Sequence, residues 1–174
     1  MPPMLPVRPR LIRWRAAEPI DGWLTRDYRY TNPVFWQAFG SDVANVTRPV
    51  WLMLPATGEA RLLAHDVDTG RFDISALEVT GYSSRDSMVE GLKSLLAATG
   101  SSAPVLAMEY SELYQLPRVG RVDAGTIELV RSFGVNVVSS GDLIQLFEAV
   151  WTEEQWKMHQ EASVLTNAAF ELSW

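Results

Sequence analysis

At 174 residues the chain has the length of one ordinary domain, and 47% hydrophobic against 21% charged residues excludes an extensively disordered chain. Fifteen Lys and Arg against 21 Asp and Glu give a formal net charge of -6, which argues against duplex nucleic acid or an anionic membrane as the main partner. The absence of cysteine excludes disulfides and thiolate metal sites and fits a reducing compartment. No apolar run reaches the ~18 residues of a spanning helix. The opening MPPMLPVRPR lacks the apolar stretch of a signal peptide, so the expectation is a soluble cytoplasmic protein.

Residues 1–20 carry Pro2, Pro3, Pro6, Pro9 and Pro19 and read as an extended, irregular leader, with Arg8, Arg10, Arg13 and Arg15 solvated or paired rather than forming a patch. Residues 21–150 read as one α/β domain and residues 151–174 as the start of a linker helix. Trp23, Leu24 and Thr25 predict a first strand. Asn32-Pro33 then predicts a helix start, Asn32 as N-cap and Pro33 in the first turn, with Phe35, Trp36 and Phe39 apolar and Gly40 as the stop. Pro49 to Leu54 is a dense apolar strand; a turn over Ala56 to Glu59 returns the chain through Ala60 to Val67, giving a hairpin.

The following stretch is weakly patterned and reads as a loop with one short helical turn, before a brief strand at Val79 to Tyr82. Met88, Leu92, Leu95 and Leu96 then recur at helical spacing, with Asp86 or Ser87 as cap and Gly100 as the end.

Pro104 to Val138 is the stretch around which the chain is organised. Val105 to Met108 is too short for a free-standing helix and does not alternate, as expected of a strand buried on both faces. Asp123 can cap a helix bearing Ile127 and Val130, Gly134 can end it in the left-handed conformation, and Val135 to Val138 supplies a second strand. Strand, helix, strand predicts a parallel pair. Ser140 to Val150 reads as a further short helix. In the last segment Thr152 and Gln155 form a capping box, and Met158, Ala162, Leu165, Ala169 and Leu172 make one apolar stripe. That stripe needs a partner surface, and it runs to Trp174 without a stop signal, so the sequence reads as a fragment of a longer protein.

Catalytic signatures are mostly missing. No phosphate loop, dinucleotide fingerprint, nucleophile elbow or H-E-x-x-H occurs. His65 and His159 are far apart in sequence and read as structural or exposed. The run from His65 to Gly70 fails as a calcium loop, because Gly70 takes a ligand position and Leu77 stands where a bidentate Glu is required. Ser139-Ser140-Gly141 reads as a cap rather than an anion site, and Glu109 with Asp123 is the one imaginable carboxylate pair, each having an ordinary structural explanation. Trp23 and Trp51 read as core; Trp36, Trp151, Trp156 and Trp174 can line an interface.

Several stretches together, DYRYTNPVFWQAFG, TRPVWLMLPATGEARLLAH, VLAMEYS with RVDAGTIELVRSFGVNVVSSGDLIQ, and FEAVWTEEQWKMHQEASVLTNAAFE, resemble in their order the N-terminal domain of the creatinase, prolidase and Xaa-Pro aminopeptidase family of metallopeptidases. The resemblance covers nearly all of residues 20–174. Asn32 to Ala38 reads N-P-V-F-W-Q-A and departs from the family's common N-I-R-Y-L-T-G, which bears on substrate preference.

What the resemblance implies is a non-catalytic α/β domain, a mixed sheet of about six strands flanked by helices. Its expected service is oligomerisation and substrate gating. The dinuclear metal, held by Asp, His and Glu ligands, would belong to a catalytic domain beyond this chain, so no cofactor is expected here and the chain alone is not expected to cleave peptides. The expected partners are a second copy of the chain and that catalytic domain. In relatives the loop matching Asn45 to Arg48 reaches a neighbouring subunit's site, which makes Asn45 and Arg48 candidate substrate or subunit contacts; Arg48 can grip a carboxylate bidentately, or it is simply an exposed arginine before a strand. Trp156, Leu165 and Trp174 are the candidate interface. The rival readings are a stand-alone dimerising regulatory module and, behind it, a small enzyme using the acids near Glu109.

Overall fold

The computed structural model describes residues 20–39, 46–72 and 77–173, the side chains of 146–148 excepted. The leader up to Pro19, Gly40, Asn45 and Trp174 lie outside the described residues. A six-stranded sheet has the order β4-β3-β2-β1-β5-β6. Strand β1 (Gly22–Asp27) pairs antiparallel with β2 (Val50–Pro55), from Gly22 opposite Pro55 to Asp27 opposite Val50. β2 returns antiparallel as β3 (Arg61–His65), the predicted hairpin, through a turn in which Gly58 takes φ +100°. β4 (Glu78–Tyr82) lies parallel to β3. On the other side β5 (Val105–Met108) runs parallel to both β1 and β6 (Asn136–Ser139). Within this sheet β2 alone runs against the rest.

Alternation along the strands divides the core in two. Trp23, Leu52, Leu54, Leu62 and Ala107 face α1 (Pro33–Phe39) and α5 (Gly141–Glu148). Leu24, Trp51, Met53, Leu63, Leu106 and Met108 face α3 (Arg85–Ala97) and α4 (Ala124–Arg131). Leu106, Ala107 and Met108 are fully buried, as an unalternated strand covered on both faces requires. Trp23 and Trp51 are core, as read. Asp123 caps α4, its Oδ1 accepting from the Thr126 N–H at 3.0 Å, and Gly134 follows the helix at φ +82°, where a Cβ would strain the backbone.

Three local readings shift. β3 stops at His65 rather than Val67, because His65 Nδ1 accepts from the Val67 N–H at 3.3 Å and starts a one-turn helix α2 (Asp66–Thr69). α3 starts earlier than its apolar residues suggest: Ser84 caps it, its Oγ accepting from the Ser87 N–H while the Ser87 Oγ accepts from the Ser84 N–H. Ser140 does not cap α5 with its side chain, which turns inward instead.

The last helix, α6 (Glu153–Leu172), has the predicted Thr152–Gln155 capping box and no buried residue along its length.

Candidate functional site

With β2 the exception, the strands end at one edge of the sheet, and the chain leaving β1 enters α1 on one face while the chain leaving β5 leads to α4 on the other. Where adjacent parallel strands send their connections to opposite faces, a crevice opens beyond their carboxyl ends, which is the usual ligand position in such sheets. Glu109, the residue after β5, stands at that end of the sheet. It is fully buried. Its Oε1 accepts from Trp23 Nε1–H at 2.6 Å and from Ser140 Oγ at 3.3 Å; its Oε2 accepts from Thr25 Oγ1 at 2.7 Å and Asn32 Nδ2 at 2.9 Å. Burial pushes the carboxyl above the ordinary value of 4.5, and the four donors pull it back without cancelling that effect.

Asn32 ties the network to α1. Its Nδ2 also donates to the Arg26 carbonyl at 2.8 Å, and its Oδ1 accepts from the Val34 N–H at 3.1 Å. Asp27 accepts from the Tyr30 and Asn32 N–H groups, both at 2.8 Å. A carboxyl so enclosed has no route to a substrate, so Glu109 is an organising group rather than an acid or base. Asp123 belongs to a separate set. It bonds Arg26 and Thr126; burial raises its pKa, but the Thr126 hydrogen bonds and the Arg26 hydrogen bond and charge outweigh this and hold it at about 2.

Two loops leave this edge in left-handed conformations without glycine. Arg29 and Tyr30 have φ of 57° and 60°, closing a turn in which the Thr31 N–H meets the Tyr28 carbonyl at 3.3 Å. Leu113 and Tyr114, at 48° and 60°, do the same after β5. Each costs about 1–2 kcal/mol of backbone strain. Tyr30 is held by stacking on Trp36 at 4.8 Å, and its hydroxyl accepts from the Val46 N–H at 3.3 Å. The second loop is pinched shut at its base, where the Arg121 and Val122 N–H groups both reach the Glu109 carbonyl, at 2.9 and 3.2 Å. Leu113 and Tyr114 stand 85% and 77% exposed at its tip.

Arg48 lies at the same edge, before β2. Its Nη1 is 3.8 Å from Oδ2 of Asp68, a buried carboxylate whose Oδ1 also accepts from Arg71 Nε at 3.2 Å. Beside them the Tyr82 hydroxyl donates to the Pro49 carbonyl at 2.7 Å, and burial, then the Asp68 charge, pushes its pKa up to about 12. The Arg48 side chain keeps 42% exposure, so it retains a solvent face beyond its ion pair. His65 packs edge-on against Tyr82 with centroids 5.2 Å apart. On α6, Trp156 is 50% and Leu165 72% exposed, and Trp156 shares an aromatic group with Trp151 and His159. Trp36, a residue that can line an interface, is partly buried and packs against the core beside Phe35. Among the described residues no three His, Cys, Asp or Glu side chains are grouped to hold a metal, and no helix is long and apolar enough to cross a membrane.

No protein-family model matches the chain, and no curated protein is significantly similar to it. Solved structures do match. A dipeptidase from Pyrococcus horikoshii OT3 superposes with a TM-score of 0.64 at 19% identity, over 97% of this chain and 44% of its own, so the chain spans less than half the length of that protein. The Creatine_N superfamily domain of a dipeptidase from Streptococcus thermophilus matches 82% of this chain over 98% of its own length, with a TM-score of 0.55 and 14% identity. The creatinase/prolidase N-terminal domain of an X-Pro dipeptidase from Streptococcus pyogenes matches 80% of this chain over 95% of its own, again with a TM-score of 0.55 and 14% identity. The chain thus has the fold of a creatinase/prolidase N-terminal domain, a mixed six-stranded sheet flanked by helices.

Proposed function

We propose that this chain is the non-catalytic N-terminal domain of a Xaa-Pro dipeptidase- or aminopeptidase-like metallopeptidase, serving assembly and substrate gating in the cytoplasm while a separate catalytic domain holds the metals. The observation that carries this reading is α6 joined to a domain of this fold. Met158, Leu165, Phe170 and Leu172 stand 63%, 72%, 64% and 88% exposed on it. Covering side chains of this size is worth roughly 1.5–3 kcal/mol each, so the helix gains from a second surface. The catalytic domain and a second copy of the chain are the two surfaces proposed, with Asn45 and Arg48 as candidate contacts to a neighbouring subunit or its substrate. The exposed Trp151, Trp156 and His159 group favours a second reading, a stand-alone dimerising module.

The test has two arms. Dialysed protein is expected to retain no stoichiometric Mn, Co or Zn and to leave X-Pro dipeptides intact; turnover above a buffer blank would remove the non-catalytic role. Sedimentation is expected to give a dimer that Leu165→Glu dissociates. A monomer at high concentration that fails to bind a catalytic domain supplied in trans would remove the assembly role, and a dimer that ignores that domain would favour the stand-alone module.

A further inference from the structure

We propose that the cleft outside the carboxyl ends of β1, β5 and β6 is a binding site for a small organic anion, a carboxylate or phosphate ester attached to an apolar group. The cleft measures about 520 Å³, within the range of small-molecule sites, and its walls come from the segments that leave those three strands: the start of α1, the loop after β5, and α5. Parallel strands whose connections part to opposite faces open a crevice at this end of the sheet, the usual ligand position in such folds.

The lining gives the ligand its chemistry. Among the described residues that line it, the charged ones are Arg118 and Arg121, both cationic, in a protein whose net charge is -6. Both side chains are exposed, and among the described residues neither has an ion-pair partner. Planar guanidinium groups match carboxylate and phosphate oxygens bidentately. Leu116, Val119 and Ile144 supply an apolar wall, and the amides of Gln37 and Gln145 add neutral donors and acceptors. An inorganic ion would use only the arginines; an apolar body is needed to use the wall.

The loop that carries the arginines is fixed before any ligand arrives. The Val119 N–H meets the Leu116 carbonyl at 3.0 Å, the Gly120 N–H meets the Pro117 carbonyl at 3.2 Å, and the Arg121 N–H is anchored on the Glu109 carbonyl at 2.9 Å. The loop packs on the start of α5, Leu116 Cδ1 and Val119 Cγ2 lying 3.4 and 3.6 Å from where a Cβ of Gly141 would stand, at ordinary van der Waals contact. A preordered loop loses little entropy on binding. The site needs neither a catalytic domain nor a second copy, so it stands apart from the assembly role above.

Calorimetric titration of the whole chain tests this with four probes: N-acetyl-leucine, phenyl phosphate, inorganic phosphate and the neutral N-acetyl-leucinamide. One-site binding of at least one organic anion is expected, weakening with added salt and exceeding that of inorganic phosphate. Which of the first two binds more tightly identifies the anion as carboxylate or phosphate ester. Arg118→Ala and Arg121→Ala are each expected to weaken binding about tenfold or more, as loss of a charge-assisted hydrogen bond implies. Gln145→Trp, an exposed change that fills the cleft, is expected to abolish it, while Arg85→Ala, on the exposed start of α3, leaves it intact. Circular dichroism melts of the four variants should match the parent. Binding of the neutral amide as tight as that of the acid, no saturable binding of either organic anion, or retained affinity in both arginine variants overturns the proposal.

Discussion

Replacing Glu109 by Gln keeps the size of the side chain and changes only what its two ends can do. In the protein each oxygen of Glu109 faces one hydroxyl and one nitrogen donor: Ser140 and Trp23 at Oε1, Thr25 and Asn32 at Oε2. The hydroxyls can turn to accept, but Trp23 Nε1–H is donor-only, and Asn32 Nδ2 is fixed by its second bond to the Arg26 carbonyl. Whichever way the glutamine amide turns, its NH₂ meets one of these nitrogens and leaves a buried donor unsatisfied. That costs about 1–3 kcal/mol, or roughly 3–10 °C in melting temperature for a domain of this size.

The pH dependence checks the cause. Burial lifts the native pKa of Glu109 above the ordinary 4.5, so between the two values the native state keeps a proton that the unfolded chain has lost. Stability from this group is therefore full at or below the ordinary value and falls as pH rises through the native one. Glutamine does not titrate, so the deficit of Glu109→Gln should be greatest in acid and narrow toward neutral pH. Paired urea melts across that range measure it. A deficit that widens with rising pH would mean that the four donors outweigh burial and that the ionised form is the stabilising one; no deficit at any pH would refute the network's role in stability.

Leu106→Asp should unfold the domain, since a fully buried position in a strand covered on both faces offers a carboxylate no partner and the cost is several kcal/mol; an unchanged thermal melt would contradict this. Asp123→Ala should cost about 1–2 kcal/mol by removing the cap of α4. Because the Asp123 pKa is lowered to about 2, its contribution is present above the ordinary 3.8 and lost as pH falls through the native value, so this deficit should shrink in acid, opposite in sense to a loss that grows there. Leu113→Gly should be neutral to stabilising by up to about 1 kcal/mol, because relief of left-handed strain offsets the entropy of glycine while a side chain 85% exposed gives up little packing; clear destabilisation would show that the loop tip is held by that side chain.

The core was legible where local chemistry repeats the global fold. Val105 to Met108 is short, apolar and unalternated, Asp123 and Gly134 bracket one helix, and the hairpin follows two apolar runs joined by a glycine turn; each signal lies within a few residues of the structure it specifies. The capping of α6 is legible for the same reason, whereas the start of α3 is hidden because Ser84 precedes the apolar repeat by several residues. The Glu109 network left no such trace. Its partners are 86, 84, 77 and 31 residues away in sequence, so only strand order brings them together. Ser140 reads locally as a cap because nothing near it announces the carboxyl toward which it turns. The left-handed pairs Arg29–Tyr30 and Leu113–Tyr114 lack the glycine or asparagine by which such turns are found in a sequence.

Glu109 matters through both of its functional groups. Its carboxyl joins β1 through Trp23 and Thr25, α1 through Asn32 and α5 through Ser140, which fixes the distance between the two helices that wall the cleft. Its carbonyl, accepting from Arg121 and Val122, closes the loop that carries the cleft's arginines and apolar third wall. From sequence that loop is a polar connector with a proline and a glycine. It becomes a wall only because one backbone oxygen holds both N–H groups at its return. A buried acid closed off from solvent is thereby placed where it sets the geometry of the proposed site without touching it, and this is why the acid/base reading of Glu109 gives way to a structural one.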